Sequence, residues 1–380
     1  MVDLGKAVAS QLIVWHHLAL YGPLSDVVGD LTGDLMSWLV GYARLSVQVF
    51  LVIGGFLAAR VLLPAPDAPP VARSGGFLNT LKRRLQRLMP PYLVALLAAV
   101  WCALCARTLI DHAAIPEAPT LWQFIANTLM LQDVLGEGAL SAGVWYVAID
   151  VQIYALLALV CAVRASWGRG DAARRGRVTA VGMVALTGLS LLWLNRDADL
   201  DIWAVYFVGA YGLGVLAQWA RTSARRGLWV GAIVVLTALA LLVEWRSRLA
   251  LAGGVALVLA LDIGRGWRWL AQGPVRAVVA FLSKISYTVF LMHYPVSLVV
   301  GAAFYRLWPT SPVMCLIGLI ATWLLSLLAG WWLQVALEPV SAVPAHAAVQ
   351  RSSAWRASIS NGLSQYASRP RHHASTPAPR

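Results

Sequence analysis

The chain has 380 residues, of which 59% are hydrophobic and 12% charged, with a formal net charge of +13. A soluble globular domain carries an apolar share nearer half and about a quarter charged residues, so this composition excludes an ordinary soluble enzyme and indicates an integral membrane protein. The arginines sit in short segments between apolar runs, where they set orientation in a bilayer, and no nucleic-acid partner is expected.

The first segment, DLGKAVASQLIVWHHLALY from Asp3 to Tyr21, predicts an apolar helix that carries a lysine and two histidines into the membrane. Lys6 and His17 are eleven residues apart. At about 100° per residue that is three turns with about 20° left over, so they share one face. Asp3, Ser10 and Tyr21 fall near the same stripe, and His16 does not. An ionisable side chain within a spanning helix costs about 2.5 kcal/mol or more, so it normally faces a bundle interior and marks a site. His17 is therefore the expected chemical centre. No cleavable signal pattern follows the single lysine, and this segment is expected to remain as the first span.

Apolar runs long enough to cross a bilayer core lie near 7–23, 37–63, 88–110, 143–163, 178–195, 202–220, 227–245, 248–264, 281–304 and 312–337. The expected fold is all-α: a polytopic transmembrane bundle of about ten spans over residues 1–338. Basic residues gather in alternate loops: Arg73, Lys82, Arg83, Arg84 and Arg87; Arg164, Arg169, Arg174, Arg175 and Arg177; Arg221, Arg225 and Arg226; Arg265, Arg268 and Arg276. The positive-inside rule makes these loops, and with an even span count both termini, cytoplasmic. The opposite loops 24–36 and 111–142 are acidic, and only Arg196, Arg246, Arg248 and Arg306 break the pattern.

Within the longest outer loop, TLWQFIANTLML predicts a short amphipathic helix at the interface anchored by Trp122, where a large external substrate is met. Residues 339–380, rich in Ser, Ala, Pro and Arg, predict a disordered basic cytoplasmic tail along anionic lipid. Cys102, Cys105, Cys161 and Cys315 lie in apolar segments and read as packing residues. No internal repeat is detected, and no metal site is expected.

Four further stretches stand out. ARLSVQVFLVIGGFLAAR (43–60) contains Gly54 and Gly55, which permit close helix approach. KRRLQRLMPPYL (82–93) sets Arg84 and Arg87 three residues apart on one helical face, suited to phosphate or simply to topology. GVWYVAIDVQIYALL (143–157) places Asp150, with Trp145, Gln152 and Tyr154, inside an apolar span, as a functional carboxylate or a partner for another helix. KISYTVFLMHYPVSL (284–298) places His293 and the helix-bending Pro295 mid-span.

Taken together and in order, these stretches resemble the acyltransferase-3 family of polytopic bacterial membrane proteins that O-acylate surface sugars. Lys6 and His17 resemble its Arg-or-Lys and His pair with ten residues between. FLVIGGFL is similar to its Phe-Phe-Val-Leu-Ser-Gly-Phe-Leu run, with Gly54 replacing the usual serine. Arg84, Arg87, Pro90 and Tyr92 resemble its Arg-x-x-Arg-Ile-x-Pro-x-Tyr motif. WYVAIDVQIYALL resembles Trp-Ser-Leu-Ser-Val-Glu-x-Gln-x-Tyr, with Asp150 where glutamate is usual and Tyr146 and Ala148 where serines are usual. ISYTVFLMHYPV resembles the late motif that ends in His-x-Pro.

The resemblance implies an O-acyltransferase of the bacterial inner membrane. Acyl-CoA, usually acetyl-CoA, is the cytoplasmic co-substrate, with no permanently bound cofactor, and the acceptor is an extracytoplasmic carbohydrate hydroxyl. It implies that His17 is the base or acyl carrier, that Lys6, Arg84 and Arg87 hold the CoA phosphates, and that Asp150 orients His17 or contacts the acceptor. Tyr92, Trp145, Gln152, Tyr154 and His293 are expected as substrate or structural residues of the site. A transporter or flippase of a glycan or acyl donor, or a catalytically silent scaffold in polysaccharide export, are the competing readings.

Overall fold

The computed structural model describes residues 1–67, 76–166, 172–263 and 272–338. Arg73, Arg169, Arg265, Arg268 and the basic tail 339–380 lie outside the described residues. All regular structure within them is helical. The helices are α1 (Val2–Leu20), α2 (Leu24–Thr32), α3 (Asp34–Tyr42), α4 (Ser46–Leu62), α5 (Phe77–Leu109), α6 (Leu121–Thr128) and α7 (Val144–Ser166). They continue with α8 (Ala172–Leu192), α9 (Ala204–Thr222), α10 (Arg226–Val243), α11 (Ser247–Leu261) and α12 (Gly273–Leu307), and end with α13 (Pro312–Glu338).

Nine of the ten apolar runs lie mainly on a single helix among the described residues, and the run 37–63 takes in α3, a 3-10 turn and α4. Among the described residues, seven helical segments are long and apolar enough to cross a membrane: Asp34–Leu62, Phe77–Leu109, Val144–Arg164, Arg174–Arg196, Arg226–Val243, Gly273–Leu307 and Pro312–Glu338. Helices α1, α9 and α11 fall outside that group for physical reasons. Helix α1 carries Asp3, Lys6 and two histidines, α9 is made less apolar by Tyr206, Tyr211, its glycines, Gln218 and Arg221 and has sixteen of its nineteen residues buried, and α11 has fifteen residues, about 22 Å of helix.

The acidic stretch 24–36, expected as a loop, is instead mostly helical. It forms α2 and the start of α3, separated at Gly33, whose φ of 52° lies in the left-handed region that glycine tolerates.

Helix α9 is the hub, packing on α4, α7, α8, α10 and α11. Glycines allow this approach: a Cβ on Gly55 would lie 1.8 Å from the Tyr211 carbonyl oxygen, and one on Gly214 would lie 2.0 Å from that of Val52. Gly54 and Gly55 thus serve helix packing, as their lack of side chains suggests.

The four arginines that break the charge pattern have structural partners. Arg246 is buried and donates to the carbonyls of Leu191 and Asn195 and to the Asn195 side chain. Arg248 donates to the Asn195 carbonyl and the Tyr206 hydroxyl. Arg306 donates to the Leu109 carbonyl, and Arg196 pairs with Glu244. Leu191 and Leu109 end their helices, where unpaired carbonyls and the macrodipole favour cations.

Gly55→Ala or Gly214→Ala should destabilise the protein by about 1–3 kcal/mol or more through overpacking. Gly231→Ala, where a Cβ meets nothing within 4 Å, should be neutral or slightly stabilising. Thermal denaturation in detergent monitored by fluorescence-detected size exclusion distinguishes them; equal melting temperatures for all three would contradict the assigned packing.

Candidate active site

Helices α1, α5, α7, α9 and α12 position the chemistry-bearing side chains. Helix α1 packs along α12 and α4, α12 packs on α5, and α5 packs on α7. Helices α1 and α12 run in the same direction: Ser283 donates to the Asp3 carboxylate at 2.8 Å near their starts, and His17 meets His293 further along.

His17 points into the bundle and is buried, as is His293. The His17 Nδ1 lies 2.8 Å from the His293 Nε2, and the His293 Nδ1 lies 2.7 Å from the Phe290 carbonyl oxygen. The two rings are within 10° of parallel with centroids 4.8 Å apart. A centroid separation exceeding the N···N distance by most of two ring radii describes rings meeting edge to edge, not face to face. Tyr21 packs beside His17 at 5.6 Å, and Tyr294 packs edge-on against Tyr21. Tyr21 is exposed, so an aromatic pair stands between the histidines and the protein surface. His16 is turned away, its Nδ1 hydrogen-bonded to the Leu39 carbonyl at 3.0 Å.

The second cluster lies between α5, α7 and α9. Arg84 donates to the Asp150 carboxylate at 2.5 Å, and its guanidinium sits 4.8 Å from the Tyr154 ring centroid. Of the roles open to Asp150, this ion pair is the partnership with another helix, and the ring that engages His17 is His293. The Arg84 Nε and the Tyr211 hydroxyl are buried without a protein hydrogen-bond partner. Lys6 lies within electrostatic reach of Asp3 and Arg87.

Of the remaining candidates, Tyr92 and Gln152 hold the framework. The Tyr92 hydroxyl donates to the Asn127 carbonyl at 2.6 Å. Gln152 donates to the Ile202 carbonyl and accepts from the Ala204 N–H. Trp145 packs on Tyr146 and Phe207.

The segment 111–143, expected as an outer loop, packs further into the helices than its sequence suggests. Helix α6 begins at Thr120, whose hydroxyl accepts from the Gln123 N–H, as an N-cap residue does. It keeps Leu121, Trp122, Ile125 and Leu129 exposed, an apolar face of the expected kind. Its buried Asn127, however, is tied to Tyr92 near the middle of α5. The Asn127 amide also holds the Gly138 carbonyl and the Leu140 N–H, which satisfies backbone groups of the returning chain. At Gly143 the chain meets Phe290, the middle residue of α12. It therefore arrives at the level of the histidine pair. Such non-helical backbone at depth is tolerated where protein buries it.

Sequence reasoning missed Tyr211, whose ring reaches the space beside Gly54, and did not single out Tyr287 within the ISYTVFLMHYPV stretch, where it donates to the Leu88 carbonyl. Their hydroxyls sit on otherwise apolar helices, a weak signal because tyrosine is common at membrane interfaces.

Removing one partner of the Arg84–Asp150 pair strands a buried charge, so Arg84→Met and Asp150→Leu should each destabilise by about 3 kcal/mol, whereas the double variant should recover most of the loss. Unfolding midpoints in nanodiscs measure this; additive losses would show that the two side chains do not act as a pair.

The Acyl_transf_3 family, described as an acyltransferase domain, matches residues 2–331. A Caenorhabditis elegans protein described as "Regulator of hypoxia-inducible factor 1" is 22% identical over 395 residues, covering 87% of this chain and 76% of the worm protein. No solved structure matches. The matched residues take in α1 through α12 and most of α13, including both histidines and the Arg84–Asp150 pair, and the chain belongs to the acyltransferase-3 family.

Proposed function

We propose that the protein is an O-acyltransferase of the bacterial cytoplasmic membrane. It moves an acyl group, in the first instance acetyl, from cytoplasmic acyl-CoA to a hydroxyl of an extracytoplasmic carbohydrate such as an exopolysaccharide or other surface glycan. In this reading the chain crosses the membrane ten times, with α1, α9 and α11 as spans sheltered by the other helices, and both termini are cytoplasmic.

The observation that carries the proposal is the placement of Lys6 and His17 on one helix, with Arg87 within electrostatic reach of the first and His293 hydrogen-bonded to the second. Eleven residues of helix separate them by about 16 Å. An extended pantetheine arm can bridge that interval, with the CoA phosphates at Lys6 and Arg87 and the thioester at His17. The charge of Arg84 is already matched by Asp150, which leaves phosphate binding to the other two cations. The buried Arg84 Nε and Tyr211 hydroxyl keep donor capacity for the amides of the arm.

A sugar hydroxyl is a poor nucleophile at neutral pH, and imidazole is suited to take its proton. His17 removes the hydroxyl proton as the oxygen attacks the thioester carbonyl; the C–S bond then breaks and the leaving thiolate recovers a proton from the imidazolium. A two-step route through an acyl-imidazole uses the same residue. Tyr21 and Tyr294 supply ring faces on the acceptor side.

Membrane vesicles given radiolabelled acetyl-CoA test the reading. The native protein should label membrane glycan, and His17→Ala should lower transfer by about 100-fold or more with the protein amount unchanged. Lys6→Ala and Arg87→Ala should chiefly raise the KM for acetyl-CoA. Glycan translocation without covalent labelling would contradict acyl transfer and support a transporter.

A further inference from the structure

We infer that His293 is a positioning residue that fixes the tautomer of His17 and makes the His17 Nε2 the reacting atom; this rests on the acyl-transfer reading. The proton positions are fixed outward from the Phe290 carbonyl. A carbonyl oxygen only accepts, so the His293 Nδ1, 2.7 Å away, carries a proton. In a neutral imidazole the other nitrogen is then a bare acceptor. That nitrogen, the His293 Nε2, faces the His17 Nδ1 at 2.8 Å, so the His17 Nδ1 carries the proton and its Nε2 presents a lone pair. The opposite tautomer of His17 would set two lone pairs against each other in a site where both rings are buried.

The start of the relay is itself held in place. Phe290 and His293 are one helical turn apart on α12, so the bond between them follows from helix geometry. The chain entering α7 presses on the same point: a Cβ on Gly143 would lie 2.9 Å from the Phe290 ring and 3.2 Å from its carbonyl oxygen. Tyr146 packs edge-on against the ring at 5.8 Å. The near-coplanar meeting of the two imidazoles also aims the Nδ1–H along the acceptor lone pair.

During transfer the His17 Nε2 accepts the proton of the attacking hydroxyl and later returns it to the thiolate that leaves as the C–S bond breaks. Throughout, the Nδ1 proton stays on His17 and its bond to His293 steadies the transient imidazolium. No proton needs to pass to His293.

Three substitutions separate this role from packing. His293→Gln carries an amide carbonyl to about the place of the lost Nε2. His293→Asn can keep the Phe290 contact but stops short of His17, and His293→Leu fills space only. With labelled acetyl-CoA and native membrane vesicles, kcat should fall about 100-fold in the Asn and Leu variants and no more than about 10-fold in the Gln variant. The KM for acetyl-CoA should stay within about twofold of the native value, because His293 is remote from the phosphate-binding residues. Native kcat in the Asn and Leu variants, or a Gln variant as slow as Leu, would overturn the inference. If His17→Ala is inactive while the Leu variant keeps native kcat, the positioning role alone fails; if His17→Ala is also fully active, His17 is not the reacting residue; and if the native protein transfers no label at all, the acyl-transfer reading beneath it fails.

Discussion

A hydrogen bond between two imidazoles inside a helical bundle is the interaction on which the rest of this structure turns. Two uncharged rings can share one proton in an apolar setting without the desolvation cost that an ion pair carries. The bond joins α1 to α12 across 276 residues of sequence. Around it, α1 carries Lys6 near its start and Tyr21 just past its end, about three turns and one turn away from His17.

The Arg84–Asp150 pair has a complementary part. It lies where α5, α7 and α9 meet, and its charges balance within the protein. The family departures read from sequence become intelligible around it. A serine side chain at position 54 would meet the Tyr211 ring, since even a Cβ there would lie 2.9 Å from it. Glycine at 54 and a tyrosine on α9 are thus one packing solution. Tyr146, where serine is usual, fills the space between Phe50 and Phe290. Asp150 is shorter than glutamate but reaches Arg84 directly. Of these departures, Tyr146 exchanges a small hydroxyl for aromatic volume beside Phe290.

The positions of the helices were legible because burial in lipid or protein forces long apolar runs, and the ten runs lie mainly on helices. The pairing of Lys6 with His17 on one face followed from helical periodicity alone. Stretches set by tertiary contact were not legible. The segment 24–36 is acidic and short in apolar residues, yet Leu24 and Val28 find a buried place in a core with Val14, Leu18 and Leu319. The inward course of 111–143 depends on Asn127 and Tyr92, neither of which signals a partner from its own neighbourhood. For Asp150 the roles toward His17, toward the acceptor and as a partner for another helix were all open, because sequence carries no distance between spans; the structure sets the Arg84 guanidinium against it. His293 was visible as a mid-span histidine; its bond to His17 was not.

The central claim is that His17, through its Nε2, is where donor and acceptor meet. A structure of the full chain in a lipid nanodisc with a non-hydrolysable acetyl-CoA analogue tests this most directly. The account predicts the analogue's carbonyl carbon within about 3.5 Å of the His17 Nε2, the phosphates against Lys6 and Arg87, and the His17–His293 bond intact. An analogue seated with its carbonyl away from His17, or a His17 ring turned so that its Nδ1 faces the ligand, would contradict it.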